Sequence, residues 1–150
     1  MVTALAIEII NPSTPVKEDY RGVALYLEEN AKAQDVIVIS APFTVYPLEY
    51  YYRGDVPLST LPNWDRYAYG PLPRFDEKAL PAQADDATKT HQNAWVMLSY
   101  DQGYEKNIKD YFDTHYERLF AKDFSPGLRL YEYKIGYGTP VDQVSTTAQN

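Results

Sequence analysis

At 150 residues the chain has the size of one domain with one hydrophobic core, and its apolar fraction of 45% is too high for a disordered polypeptide. A net charge of −7 leaves no basic face for a phosphate backbone, which excludes nucleic acid as a partner and gives no attraction to anionic lipid surfaces. The absence of cysteine excludes a disulfide framework, thiolate metal sites and a cysteine nucleophile.

The opening stretch, residues 1–10, is apolar but interrupted by Glu8 and lacks a basic flank. It reads as neither a signal peptide nor a membrane span, and it fits a chain cut just after a membrane helix. Residues 1–16 are therefore expected to be a linker. Thr14 followed by Pro15 reads as a helix start. Tyr20, Val23, Ala24, Leu27 and Ala31 then recur on one helical face, with an end expected near Ala33. The β-branched run 36–40 predicts a strand buried on both sides, closed by Ala41-Pro42. Pro47 is expected to open a short helix that turns Leu48, Tyr51 and Tyr52 inward and stops at Gly54. Residues 55–75 are rich in proline and aromatics and predict an ordered excursion with one short strand near 56–61. Residues 76–90 predict a weakly amphipathic helix.

A second buried strand is expected at 94–100. A helix over 104–120 follows, with Tyr104, Ile108, Tyr111, Phe112, His115 and Leu119 on its inner face. Residues 119–124 and 128–135 flank Ser125-Pro126-Gly127 and predict a closing hairpin. The tail 136–150 is expected to fray. Alternation of this kind predicts an α/β fold: a three-layer α/β/α sandwich on a mostly parallel sheet, with the C-terminal hairpin antiparallel.

Complete catalytic motifs are missing. Gly136-Tyr137-Gly138 leads into a tail rather than a helix, so it makes no dinucleotide loop. The two histidines, His91 and His115, lack ligand spacing, and His115 reads as a structural residue of its helix. Asp85-Asp86 reads as solvated surface. No cofactor is implied. What remains are two candidate ligand-binding groups. Ser40 and Ser99 end the two buried strands, where open α/β sheets place their ligand crevice, and Pro42, Tyr100, Asp101 and Tyr104 share that rim. Asp101 reads rather as a cap of the helix starting near Gln102. The second group is Glu49, Tyr50, Tyr51, Tyr52 and Arg53. Three successive tyrosines on a helix point about 100° apart, so at least one ring is exposed or meets a partner. Exposed tyrosines beside Arg and Glu suit sugar rings or polyisoprenyl phosphates, and packing under the 55–75 excursion is the alternative.

Residues 18–43 (EDYRGVALYLEENAKAQDVIVISAPF), then Pro47 and the 49–54 segment EYYYRG, resemble the stretch after the last membrane helix of GT-C membrane glycosyltransferases, the relatives of protein mannosyltransferases and lipid A aminoarabinose transferases. The strand Trp95-Val96-Met97-Leu98-Ser99 is similar to a later strand of that family. Phe124 to Tyr133, with Pro126, Gly127, Leu130 and Tyr131, resembles its closing hairpin. The likeness spans 17–135. It departs at Ala33-Gln34-Asp35, where the family often has Pro-Gly-Asp, and at the acidic insertion 76–92. The resemblance implies an extracytoplasmic soluble domain, accessory to an upstream transmembrane domain that transfers sugar from a polyprenyl-phosphate donor to a glycan acceptor. The family's key acidic residue lies in an early membrane loop outside this chain, so no catalytic residue is carried over. Two other readings stand beside it. One is a free-standing carbohydrate- or lipid-binding module using the tyrosine-rich 43–69 region. The other is a small enzyme at the 40–43/99–104 rim, which lacks a visible base–nucleophile pair.

Overall fold

Val36–Ser40 is β-branched at four positions out of five, and every residue of it is buried, as a central strand requires. The computed structural model describes residues 17–136. In chain order these form α1 (Tyr20–Asn30), β1 (Val36–Ser40), a 3₁₀ turn (Pro42–Thr44), α2 (Val45–Tyr51), β2 (Leu58–Thr60), α3 (Leu80–Thr88), β3 (Asn93–Leu98), α4 (Glu105–His115), β4 (Glu117–Ser125) and β5 (Leu128–Lys134). The fold is mixed α/β: four helices on one open five-stranded sheet with the order β2-β1-β3-β5-β4.

β1 pairs in parallel with β2 and with β3, the latter in the register Val36↔Ala94 to Ser40↔Leu98. β5 runs antiparallel to both β3 and β4, so it alone opposes the direction of the other strands. Successive strand side chains leave on opposite sides. Ile37, Ile39, Trp95, Met97 and Leu130 pack with Tyr20, Val23 and Leu27 of α1 and with Val45 and Leu48 of α2. Val36, Val38, Val96, Leu98 and Tyr133 pack instead with Leu80 and Ala84 of α3 and with Ile108 and Phe112 of α4.

Three sequence expectations are corrected by local chemistry. Residues 17–19 are not helical, and α1 starts at Tyr20, where Asp19 accepts the Gly22 N–H at 2.9 Å; the Thr14–Pro15 pair lies outside the described residues, as do most of the expected linker and tail. α2 begins before Pro47, because the 3₁₀ turn at Pro42 runs straight into it. Pro47 then sits in the first helical turn, where its missing N–H costs no bond. α4 ends at His115 rather than 120. Tyr116 turns extended, and Leu119, expected inside the helix, lies on the edge strand β4 with 46% of its surface exposed. His115 is exposed too, stacked on Tyr111 with ring centroids 4.1 Å apart. The hairpin is as expected, with Gly127 at φ +81° making the left-handed turn that other residues resist.

One buried charge ties the two central strands together at their amino ends. Asp35 is 1% exposed, and its Oδ2 accepts the Trp95 Nε1–H at 3.0 Å and the Lys32 N–H at 2.9 Å. Removing the carboxylate leaves a buried indole N–H unsatisfied. Asp35→Ala is therefore expected to cost roughly 2 kcal/mol, and Asp35→Asn, which keeps an accepting oxygen, less. Urea unfolding followed by circular dichroism checks this; equal midpoints for Asp35→Ala and the parent chain would refute the role.

Candidate functional site

The strand order places a crevice before any side chain is considered. β1 has β2 on one side and β3 on the other, and the connections after β1 and β3 depart to opposite sides of the sheet: α2 joins one core cluster and α4 the other. Open α/β sheets bind ligands outside the carboxyl ends of such a strand pair. Two backbone bonds hold these ends together beyond the strands proper, Ala41 N–H to Ser99 O at 2.9 Å and Ser99 N–H to Ser40 O at 2.7 Å. Ser40 and Ser99 are thus neighbours, as their positions in the sequence predict, though both are buried. Ser40 joins Ala41 through a cis peptide bond.

A cleft of about 660 Å³ opens above Ser99, within the size range of small-ligand sites. Its walls are Pro47, Tyr50 and Tyr51 from α2 and Tyr100 from the turn after β3; Lys17, Glu18 and Tyr20 close it from the start of α1. The floor is a directed hydrogen-bond chain. Ser99 Oγ–H donates to Glu18 Oε2 at 2.9 Å, and a serine has one proton to give, so the Tyr20 hydroxyl donates to Ser99 Oγ at 2.7 Å. Burial, with the Glu18 carboxylate close by, pushes the Tyr20 phenol well above its ordinary range, so it remains a donor at physiological pH. The second oxygen of Glu18 has no donor among the described residues and can accept from a ligand.

The tyrosine run divides between the last turn of α2, which holds Tyr50 and Tyr51, and the extended residue Tyr52 that follows it. Tyr50 is 71% exposed, Tyr51 is half-buried and edge-on to it at 4.9 Å, and Tyr52 is buried. Tyr52 belongs to the core rather than to a ligand: its hydroxyl accepts the Val56 N–H, and a side chain at Gly54 would strike it, with a Cβ only 2.3 Å from that oxygen. Tyr100 holds φ +53°, a left-handed conformation that non-glycine residues adopt at a cost of roughly 1–3 kcal/mol, with its ring 56% exposed at the rim.

Other sequence candidates serve the architecture. Glu49 faces away from the cleft and takes both Arg66 guanidinium nitrogens at 2.6 and 2.5 Å. Arg53 donates to the Glu49 and Tyr52 carbonyls, and its backbone N–H to Glu28. Asp101 Oδ1 accepts the Gly103 and Glu105 N–H groups, the capping role weighed from sequence. Tyr104 stacks on Phe75 at 4.7 Å, nearly parallel, and borders a second cleft of about 290 Å³ together with Pro42, Phe43, Arg74 and Gln102. The hollow beside Trp64 and Arg66 is less suited to a ligand, because Glu49 already neutralises its guanidinium.

Sequence reasoning missed Lys17 and Glu18 as site residues and placed Tyr20 only in the core. The signal was present in Glu18-Asp19-Tyr20, polar groups just before a helix, but its use depends on α1 presenting its first turn to Ser99, 79 residues away. Among the described residues, no group of three or more His, Asp or Glu side chains is placed to hold a metal ion, and no helix is long and apolar enough to cross a membrane. No protein-family model, curated protein or solved structure matches the chain.

The Glu49–Arg66 pair fixes the segment that carries Trp64 and Tyr67. The two Arg66 hydrogen bonds hold the Glu49 carboxyl below its ordinary value. A depressed carboxyl stabilises above the unfolded value and loses that contribution as pH falls through the folded one. Being partly exposed, the pair contributes about 1 kcal/mol or less. Quenching of Trp64 fluorescence by acrylamide is expected to increase in the parent chain as the pH falls below the ordinary carboxylate range, and to be raised at pH 7 already in Glu49→Gln. A variant indistinguishable from the parent at pH 7 would show that the pair does not hold this segment.

Proposed function

We propose that this chain is the accessory soluble domain of a membrane glycosyltransferase, lying on the extracytoplasmic face, and that its cleft at the carboxyl ends of β1 and β3 holds a sugar ring of the glycan acceptor or of the polyprenyl-phosphate donor. The observation that carries the reading is the cleft itself: exposed tyrosine faces at Tyr50, Tyr51 and Tyr100 above the Tyr20–Ser99–Glu18 chain. A sugar ring has apolar C–H faces and a polar edge. Tyrosine rings suit the faces, and Glu18, Lys17 and the tyrosine hydroxyls suit the hydroxyls. The left-handed Tyr100 adds support, since strain of this kind concentrates at binding sites. Helices in both core clusters, one on each side of the strands, support the finer reading of the fold as a three-layer α/β/α sandwich. The membrane enzyme is supported by the resemblance over 17–135 alone. The cleft fits a free-standing carbohydrate-binding module equally, and the reading frame upstream of codon 1 separates the two: several spans of about 20 apolar residues support the glycosyltransferase, and their absence supports the module.

Binding is tested by calorimetry with the methyl glycosides of glucose, mannose, galactose and N-acetylglucosamine at millimolar concentration. At least one is expected to bind, and Tyr50→Ala, at an exposed position, to weaken it about tenfold, roughly 1.4 kcal/mol, without lowering the melting temperature. Glu18→Gln is expected to weaken it as well. Unchanged affinity in both variants would place any sugar site elsewhere.

A further inference from the structure

The two clefts at the strand ends adjoin. Tyr100, from the turn after β3, walls the larger one, and Phe43, from the turn after β1, walls the smaller. Their rings meet edge to face with centroids 5.6 Å apart, so this aromatic pair stands between a wall of one hollow and a wall of the other. Both residues sit just past the strand ends locked by the Ala41–Ser99 and Ser99–Ser40 backbone bonds, which fixes the ridge to the rigid part of the sheet. Phe43 is half-buried and Tyr100 exposed, so the ridge offers ring surface to a ligand lying across it. On its far side, Gln102 and Arg74 line the smaller cleft, both exposed; Arg74 forms no ion pair among the described residues. That side too sets aromatic walls, at Phe43 and Tyr104, beside polar groups: the Arg74 guanidinium and Gln102, whose amide also donates to the Tyr100 carbonyl at 3.5 Å.

We propose that the clefts are two subsites of one groove, and that the ligand is an oligosaccharide of three or more units crossing the Phe43–Tyr100 ridge, not a single sugar. The inference rests on the carbohydrate reading above and goes beyond it in naming ligand length and direction across the sheet edge. One unit occupies the Tyr50–Tyr51–Tyr100 cleft, a middle unit crosses the ridge, and the next meets Tyr104, Gln102 and Arg74. Each unit presents a C–H face to an aromatic ring and hydroxyls to the polar edge, so affinity accumulates with length until the groove is full and then stops.

The test is calorimetry on the intact chain with the methyl glycoside, di-, tri- and tetrasaccharide of the linear mannose, β-1,4-glucose and β-1,4-N-acetylglucosamine series. In whichever series binds, Kd is expected to fall at least tenfold from the monosaccharide to the trisaccharide. Phe43→Ala is expected to remove that gain, leaving the trisaccharide no tighter than the monosaccharide. Should Phe43→Ala lower the melting temperature, Arg74→Ala, at an exposed position, still reads out the second subsite through a several-fold loss for the trisaccharide alone. A trisaccharide no tighter than its methyl glycoside overturns the two-subsite groove and leaves the single cleft standing. Absence of binding in every series, monosaccharides included, overturns the carbohydrate reading and the groove with it.

Discussion

The parallel pairing of β1 with β3 is the constraint on which the rest of the structure depends. It joins two strands buried on both faces, and it is tied at each end by a different chemistry. At the amino end the Asp35 carboxylate receives the Trp95 indole; at the carboxyl end the backbone of Ser40, Ala41 and Ser99 continues the ladder past the last side chain. Ligand geometry needs a rigid support, since a side chain on a loop is only as well placed as the loop's anchors. Here both rim turns leave directly from locked backbone. Tyr100 and Phe43 therefore inherit the precision of the sheet although neither lies within a strand.

The same pairing explains why polar groups near the cleft divide into two uses. Glu49, Arg53 and Asp101 lie beside exposed aromatics in sequence, and their chemistry suits a ligand. Each is instead satisfied by a nearby backbone or charge partner: Arg66 for Glu49, two carbonyls for Arg53, two helix-start N–H groups for Asp101. Turning such a side chain to a ligand would break bonds it already makes. Glu18 differs in where it stands: its Oε2 accepts from Ser99 beneath the cleft, and among the described residues its Oε1 has no donor.

How much of this the amino-acid order makes legible follows from which forces are local. The strand at 36–40 reads clearly because β-branching and a terminating proline act within a few residues. That the three tyrosines 50–52 cannot all be buried follows from helical geometry, but the burial of Tyr52 comes from the chain turning extended there, at the end of α2. The end of α4 does not read. Apolar residues continue at helical spacing to Leu119, and only pairing with β5, across the turn at Pro126-Gly127, selects the strand. Phe120 and Phe124 then reach Tyr26 of α1, with Phe120 stacked on it at 4.8 Å, a contact no local pattern foretells. Glu18 and Tyr20 as site residues are hidden for the same reason, their partner Ser99 being remote along the chain.

The distribution of exposed aromatics bears on what the cleft is for. An acidic protein can carry scattered surface tyrosines without consequence, because a phenol tolerates water. In this chain they are not scattered. Among the described residues, the exposed tyrosines Tyr46, Tyr50, Tyr67, Tyr69 and Tyr100 all fall between residues 46 and 100, whereas Leu25 and Leu119 are single exposed leucines elsewhere. Tyr67 and Tyr46 are occupied by the Arg66 guanidinium, which lies 5.1 and 5.5 Å from their ring centres. Among the described residues no cation lies over Tyr50 or Tyr100, and both border the cleft over Ser99. Tyr100 additionally stands in a backbone conformation that glycine would adopt without strain. A ring kept at that position, despite the strain and despite its exposure, adds nothing to the core. On the reading proposed above, a sugar ring would cover it, its C–H face on the tyrosine and its hydroxyls toward the Glu18 carboxylate.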